Sequence, residues 1–376
     1  MNKLLLLLLL VAGPALADWD RSFTPNGGIT RGYETGRYTN GIFRNTEFKP
    51  SPQPRQLIKQ YNKDIKEAAD QAFEYDDYTL GMILLERGKV IYQRYNDTDE
   101  QTEFNSWSIA KSLTNIITGT AICRGDIRNI NDTASKYVPE LRGTAYGDST
   151  IKELLTMTSG AVKPNPYSGE FATDNYDITR GFKNQKDLIY RSGSARDFRG
   201  SYAYDGLNQA MLGMVLDSLK GRKYYIQHYL NQAGVTSNSH WITDNEDRIV
   251  AAYGYGAKLE DWAKIVQLSL DMLQGRADIE NKDCMRKFMT DATELIVKPQ
   301  DIGRPAYFGW GYTWVHPTVN HGYAMMGWAG QRIWVDPNTE RVLIVFRHQK
   351  NDDFDVNMGN KLYIPWRKGH FDTRTN

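Results

Sequence analysis

Phe104-Asn105-Ser106-Trp107-Ser108-Ile109-Ala110-Lys111-Ser112 leads into a run of apolar and small residues that includes Leu113, Ile116, Ile117, Gly119, Ala121 and Ile122. The spacing predicts a helix over Ser108 to Arg124 with too little polar surface to lie exposed, so it belongs at the centre of the protein. A serine with a lysine three residues on stands at its start. Positions three apart on a helix share a face, which brings the Lys111 amine within reach of the Ser108 hydroxyl. A hydroxyl becomes a strong nucleophile when a base takes its proton, and a lysine serves as that base when burial or neighbouring charge lowers its pKa. Ile109 and Ala110 supply an apolar setting. The helix start adds backbone N–H groups and a positive dipole end, both favourable to negative charge on an attacked carbonyl oxygen.

The Ser-x-x-Lys spacing is weak alone, since about one copy arises by chance in a chain this long. A second copy is present, Ser149-Thr150-Ile151-Lys152. It opens an amphipathic helix over Thr150 to Thr158 with Ile151, Leu154, Leu155 and Met157 inward. Ser149 or Thr150 therefore reads as an N-cap and Lys152 as solvated. A polar pair heading a buried helix is costly unless hydrogen-bonded, so Ser108 and Lys111 carry the functional reading.

Outward from this helix, Leu57, Ile58, Tyr61, Ile65, Ala68, Ala69 and Phe73 fall on one face and predict a helix of about four turns. Tyr78 to Glu86 and Val90 to Tyr95 flank Arg87-Gly88-Lys89 as a hairpin. Leu207 to Leu219, Tyr224 to Gln232 and Lys258 to Leu273 read as helices, with long polar loops such as Lys163 to Asp177 between them. Strand chemistry returns in Gly309 to Val315, Gly322 to Trp328, Gln331 to Val335 and Val342 to Arg347. The expected fold is α/β of the α+β type: an antiparallel sheet built from both chain ends, flanked by helices, with a mainly helical lobe inserted.

Lys3, the apolar stretch Leu4 to Val11 and Ala15-Leu16-Ala17 together read as a cleavable signal peptide over 1–17. The stretch is far shorter than the roughly 20 residues of a membrane span, so no stable membrane anchor is expected. The protein is expected to be exported, periplasmic or secreted. Residues 18–55, rich in Gly, Tyr, Asn and Pro, read as an arm lying over a folded body that occupies 56–376. Within that body the α/β lobe is expected at about 56–110 and 250–376 and the helical lobe at about 111–249. Loss of the leader removes Lys3 alone among charged residues and leaves 45 basic against 45 acidic side chains. A global basic field for nucleic acid is therefore absent. The two cysteines, Cys123 and Cys284, could pair, but Cys123 falls on an apolar helix and is read as a buried free thiol.

The stretch 104–112, together with Asp132-Thr133-Ala134-Ser135-Lys136-Tyr137-Val138-Pro139-Glu140-Leu141 and Ile151-Lys152-Glu153-Leu154-Leu155-Thr156-Met157-Thr158-Ser159-Gly160, resembles the large serine hydrolase family of class C β-lactamases and penicillin-binding-like carboxypeptidases. β-Lactamase-like esterases and 6-aminohexanoate-dimer hydrolases are the members it looks most like. The resemblance covers roughly Thr79 to Phe346 and implies a β-lactamase/transpeptidase-like fold. It implies Ser108 as nucleophile and Lys111 as base. It also implies a tyrosine whose phenol shuttles the proton, matched by Tyr204 in Tyr204-Asp205-Gly206 because Gly213 follows nine residues on. Tyr202 is the runner-up, and Gly206 stands where relatives carry Asn.

The family's Lys-Thr-Gly strand element matches Trp328-Ala329-Gly330, so the lysine that would hold a β-lactam carboxylate is replaced by tryptophan. Gly330 would let a substrate approach, and the Gln331 N–H could join that of Ser108 as an oxyanion hole. Trp107, Trp310, Tyr312, Trp314 and Trp328 suggest an aromatic-lined, neutral cleft.

No Gly-x-Ser-x-Gly elbow, metal-ligand cluster or phosphate loop is present in the sequence, and His316, His321 and His348 read as structural. No cofactor or metal is expected. The expected activity is hydrolysis of a small-molecule ester or amide through an acyl-enzyme, with weak or absent β-lactamase activity. The rival expectation is a catalytically silent binding or sensor protein, motivated by the missing lysine and by Gly206.

Overall fold

The computed structural model describes residues 44–75, 78–162, 178, 182–294, 296, 308–312, 315–317, 322–347 and 357–371, without the side chains of 308–310, 315–317 and 329. The expected leader, most of the expected arm and the loop at 163–177 lie outside the described residues. In chain order the elements are β1 (Asn45–Phe48), β2 (Ile58–Lys59), α1 (Lys63–Phe73), β3 (Thr79–Glu86), β4 (Lys89–Tyr95), β5 (Glu103–Asn105) and α2 (Ile109–Cys123). Next come α3 (Ile151–Leu155), α4 (Gln185–Arg191), α5 (Leu207–Ser218), α6 (Arg222–Ala233), β6 (Ser239–Ile242) and β7 (Tyr255–Lys258). The C-terminal part holds α7 (Leu259–Gln274), α8 (Lys282–Thr293), β8 (Phe308–Trp310), β9 (Val315–Pro317), β10 (Tyr323–Gly327), β11 (Gln331–Asp336), β12 (Arg341–Arg347) and α9 (Ile364–Arg367).

The main sheet has eight strands in the order β2-β4-β3-β12-β11-β10-β9-β8. It joins the N-terminal hairpin to the C-terminal strands through antiparallel pairing of β3 with β12, from Glu86 opposite Arg341 to Gly81 opposite Phe346. This is the sheet assembled from both chain ends that the strand pattern implied; the short edge strand β2 alone runs parallel to its neighbour. The middles of its central strands are apolar on successive residues because both faces are covered. Ile83, Leu85 and Ile344 face the large core shared with α2 and α7, while Met82, Leu84, Leu343 and Val345 face a second core with Ile65, Ala69 and Phe73 of α1 and Trp366 of α9. Among the described residues no helix is long and apolar enough to cross a membrane.

Several expectations are corrected. The first helix does not begin near Leu57: it starts at Lys63, where the Asn62 side chain accepts a hydrogen bond from the Asp64 N–H at 2.8 Å. Ile58 lies instead in β2 and is 63% exposed. A side-chain cap at Asn62 outweighs the apolar spacing upstream of it. The expected strand Gly309 to Val315 divides into β8 and β9. The expected arm contributes β1, which pairs with β6 in a separate four-stranded sheet of order β1-β6-β7-β5 and buries Phe48. Four residues are too few to show a period.

The cysteines are paired, not free thiols. Cys123 and Cys284 are bonded at 2.02 Å with Cα atoms 5.5 Å apart. One turn earlier on α2, the position a Gly119 Cβ would take is filled by the Phe288 ring of α8. That glycine lets the two helices approach closely enough for the bridge.

Candidate active site

Strand β5 ends at Asn105, and the chain must turn sharply to enter α2. The Ser106 N–H donates to the Tyr255 carbonyl at 2.7 Å, and the Ser106 hydroxyl accepts from the Tyr255 N–H at 3.0 Å. Asn105 Oδ1 accepts from the Trp107 N–H at 3.0 Å. These bonds hold Trp107 at φ +45°, a left-handed conformation that costs a bulky residue about 1–3 kcal/mol. The turn places Ser108 directly before the first residue of α2, with the Ile109 N–H bonded to the Ser106 carbonyl at 3.0 Å. Asn105 and Ser106 are supporting residues to which sequence reasoning gave no role. Their only signal was two small polar residues before an aromatic at a helix start.

Lys111 lies one turn into α2 and is 5% exposed. Its Nζ is 2.9 Å from Ser108 Oγ and donates to the Ala252 carbonyl at 2.9 Å. The Tyr204 ring centroid is 4.9 Å from the same nitrogen. A Cβ on Gly206 would lie 3.0 Å from the Ala252 Cβ, a tight contact that glycine avoids, and at an ordinary 3.9 Å from Lys111 Cε. Between these neighbours, Asp205 is 1% exposed. Its carboxylate accepts from the Tyr146 hydroxyl and from the Leu207 N–H at 2.9 Å. Burial and the adjoining Asp205 hold the Tyr146 phenol well above its usual pKa.

Gly213, used to register Tyr204, has a packing reason of its own. A Cβ there would lie 2.6 Å from Arg222 Nη1, whose buried guanidinium bonds to the Ile249 carbonyl and pairs with Asp217 at 2.6 Å.

Trp328-Ala329-Gly330 forms a single 3-10 turn between β10 and β11 and does not lie on the strand. The turn abuts the one before α2, since a Cβ on Gly327 would lie 2.5 Å from the Ser106 carbonyl oxygen. The Trp107 and Trp328 rings meet edge to face at 5.0 Å. Trp107 is buried and Trp328 is 37% exposed, so Trp328 presents the aromatic surface and Trp107 backs it. The Gly330 backbone has φ +85°, and a Cβ there would lie 2.5 Å from Arg347 Nη1; packing explains this glycine without a substrate. Gln331 is buried, and its side chain bonds to the Trp328 carbonyl at 3.1 Å and to the Arg347 N–H at 2.9 Å, which fixes the start of β11.

Not all the aromatics converge. Tyr312 is buried against Phe288 at 5.6 Å and its carbonyl accepts from Asn115, which makes it core and not cleft. Trp314, His321 and His348 lie outside the described residues, as do the side chains of Trp310, His316 and Ala329. Tyr202 is half-buried, and the ring that reaches Lys111 is that of Tyr204.

Comparison with known proteins gives the family to which this fold and this serine–lysine pair belong. The β-lactamase family profile matches residues 55–363, and the chain belongs to that family of serine hydrolases. A β-lactamase of Escherichia coli (strain K12) is 26% identical over 223 residues, 52% of this chain and 57% of the relative. A 6-aminohexanoate-dimer hydrolase of Paenarthrobacter ureafaciens is 22% identical over 262 residues, 63% of this chain and 64% of the relative. The chain thus spans less than two thirds of the length of these relatives. A solved Bacillus anthracis structure, provisionally described as a 6-aminohexanoate-dimer hydrolase, superposes with TM-score 0.72 at 18% identity and covers 96% of this chain and 95% of its own.

Proposed function

We propose that the protein hydrolyses a small ester or amide through an acyl-enzyme formed on Ser108. The observation that carries this reading is the buried Lys111 amine 2.9 Å from Ser108 Oγ. Lys111, with Tyr204 beside it, takes the hydroxyl proton as Oγ attacks the carbonyl carbon, and the proton passes to the leaving alkoxide or amine. Water then attacks the acyl-enzyme and restores Ser108. The backbone N–H groups of Ser108 and Gln331 are proposed to hold the oxyanion. Gln331 suits that role because its side chain ties the turn before it, at the Trp328 carbonyl, to β12, at the Arg347 N–H.

Trp328 is proposed to favour a substrate that is uncharged where a lysine would demand a carboxylate. The Cys123–Cys284 bridge supports an oxidising compartment, in keeping with the leader read at 1–17. A fluorophosphonate probe should label the folded protein at Ser108, located by peptide mapping; a folded sample that stays unlabelled would overturn the reading. Nitrocefin should turn over slowly at best, and rapid turnover would remove the role given to Trp328.

A further inference from the structure

Asp205 is a buried carboxylate for which neither the family motif nor the proton path above has a use. Burying an ionisable group this completely is costly unless partners repay it. Its Oδ1 accepts from the Leu207 N–H at 2.9 Å, and its Oδ2 accepts from the Tyr146 hydroxyl, with Asn208 Nδ2 at 3.4 Å. The bond to Leu207 alone would make Asp205 a cap for α5. Tyr146 is a different matter, because a second buried side chain from a distant part of the chain is aimed at the carboxylate. Of the residues on either side of Asp205, Tyr204 reaches Lys111 with its ring and Gly206 lies beside the lysine stem. The Tyr204 ring lies 4.9 Å from Nζ, and a Gly206 Cβ would lie 3.9 Å from Cε.

We infer that Asp205 is a positioning residue of the Ser108–Lys111 pair: its carboxylate, held by Tyr146, stabilises the ammonium that forms on Lys111 when the serine proton is taken. The role rests on the Ser108–Lys111 reading above. In the step concerned, the O–H bond of Ser108 breaks, Oγ bonds to the carbonyl carbon, the carbonyl π pair moves onto oxygen, and the proton resides on Lys111. A positive charge therefore appears on Nζ in the transition state and not before it. A fixed negative charge nearby lowers the barrier because the attraction exists only once the proton has moved. The facing titratable groups are Tyr146 and Lys111; burial pushes the Asp205 pKa up to about 6, and the bonds from Tyr146 and Leu207, with positive charge on Lys111 whenever the amine is protonated, pull the other way. The carboxylate is thus ionised at neutral pH and loses its charge as the pH falls through about 6.

The test is the second-order rate of fluorophosphonate labelling at Ser108 between pH 5 and 9, for wild type, Asp205→Asn and Tyr146→Phe, each checked for folding by thermal melt. Asp205→Asn should lower the plateau roughly tenfold to a hundredfold and abolish the fall in rate through about pH 6, because the group that titrates there is gone. Tyr146→Phe keeps the charge but removes a donor that favours it, so its acid limb should move to higher pH with a smaller loss of rate.

An acid limb lost in one variant and raised in the other is the signature of an electrostatic role. A capping role would lower the melting temperature and leave both limbs in place, and that result would overturn the inference. If Asp205→Asn does not fold, the Tyr146→Phe profile decides the matter alone. A wild type unlabelled at Ser108 overturns the nucleophile assignment together with this inference. A labelled wild type with unmoved variants overturns the inference only.

Discussion

The two Ser-x-x-Lys tetrapeptides have the same spacing and opposite environments. Ser108 immediately precedes the first residue of α2, so Lys111 falls on the third helical residue and turns inward beneath Ala252, Tyr204 and Gly206. Ser149 stands one residue further from its helix. Thr150 takes the capping place, and Lys152 becomes the second residue of α3 and points to solvent. The Ser149 hydroxyl is spent on the Ala145 carbonyl at 2.7 Å. One residue of register is about 100° around a helix, enough to move a lysine from the core to the surface. Spacing gives proximity only once the start of the helix is fixed, and the capping residue fixes it.

The sharpest way to break this contrast is to truncate both pairs. With an ester substrate, Ser108→Ala should lower kcat/KM roughly a thousandfold or more, and Lys111→Ala roughly a hundredfold to ten-thousandfold. Ser149→Ala and Lys152→Ala should stay within twofold of wild type once corrected for the folded fraction, since neither touches a reacting group; at the exposed Lys152 the stability cost should be roughly 0.5 kcal/mol or less. A large activity loss at Lys152, or none at Lys111, would reverse the assignment.

That contrast was partly legible in the sequence. The apolar run after Lys111 marked α2 as buried, and the polar residues around Thr150 marked α3 as half-exposed, because period and composition report burial directly. The sheet from both chain ends was legible for the same reason, as apolar strand runs at 79–95 and 323–347. What surrounds Lys111 was not. Ala252, Asp205 and Tyr146 lie far from it in sequence and carry no period that points to it. The positive φ of Trp107 was equally hidden, since neither aromatic nor β-branched residues signal a left-handed turn. The strand within the arm was not legible because Phe48, one buried residue in a four-residue strand, leaves no pattern to detect.

The disulfide sharpens the comparison from the far end of α2. Cys123 closes that helix and ties it to α8 across a sequence separation of 161, and α3 has no such tether. Replacing both cysteines with alanine should cost about 2–5 kcal/mol of stability, read as a lower urea midpoint in the double variant and in the reduced wild type alike. Activity per folded molecule should change little, because Ser108 and Lys111 are fixed by the opposite end of the helix and by β5 and β7. Loss of labelling in folded, reduced protein would mean that the bridge sets the geometry of the pair as well as the stability of the helix.

The smallest effect is expected where the second tetrapeptide does its structural work. The Thr150 hydroxyl accepts from the Glu153 N–H at 3.1 Å, and the Glu153 carboxylate accepts from the Thr150 N–H at 2.8 Å, closing a capping box. The same carboxylate bridges to Arg196 at 2.6 Å and to Arg199 at 2.5 Å. Thr150→Ala removes one oxygen and should cost about 1 kcal/mol in unfolding free energy. Five residues make a helix too short to hold itself, so α3 depends on this cap and on the burial of Ile151, Leu154 and Leu155. If Thr150→Ala leaves stability unchanged, the register argument for Lys152 loses its cause, since the residue said to fix the helix start would not be fixing it. If it costs about 1 kcal/mol with labelling at Ser108 intact, the second tetrapeptide is a cap that happens to be flanked by Ser and Lys.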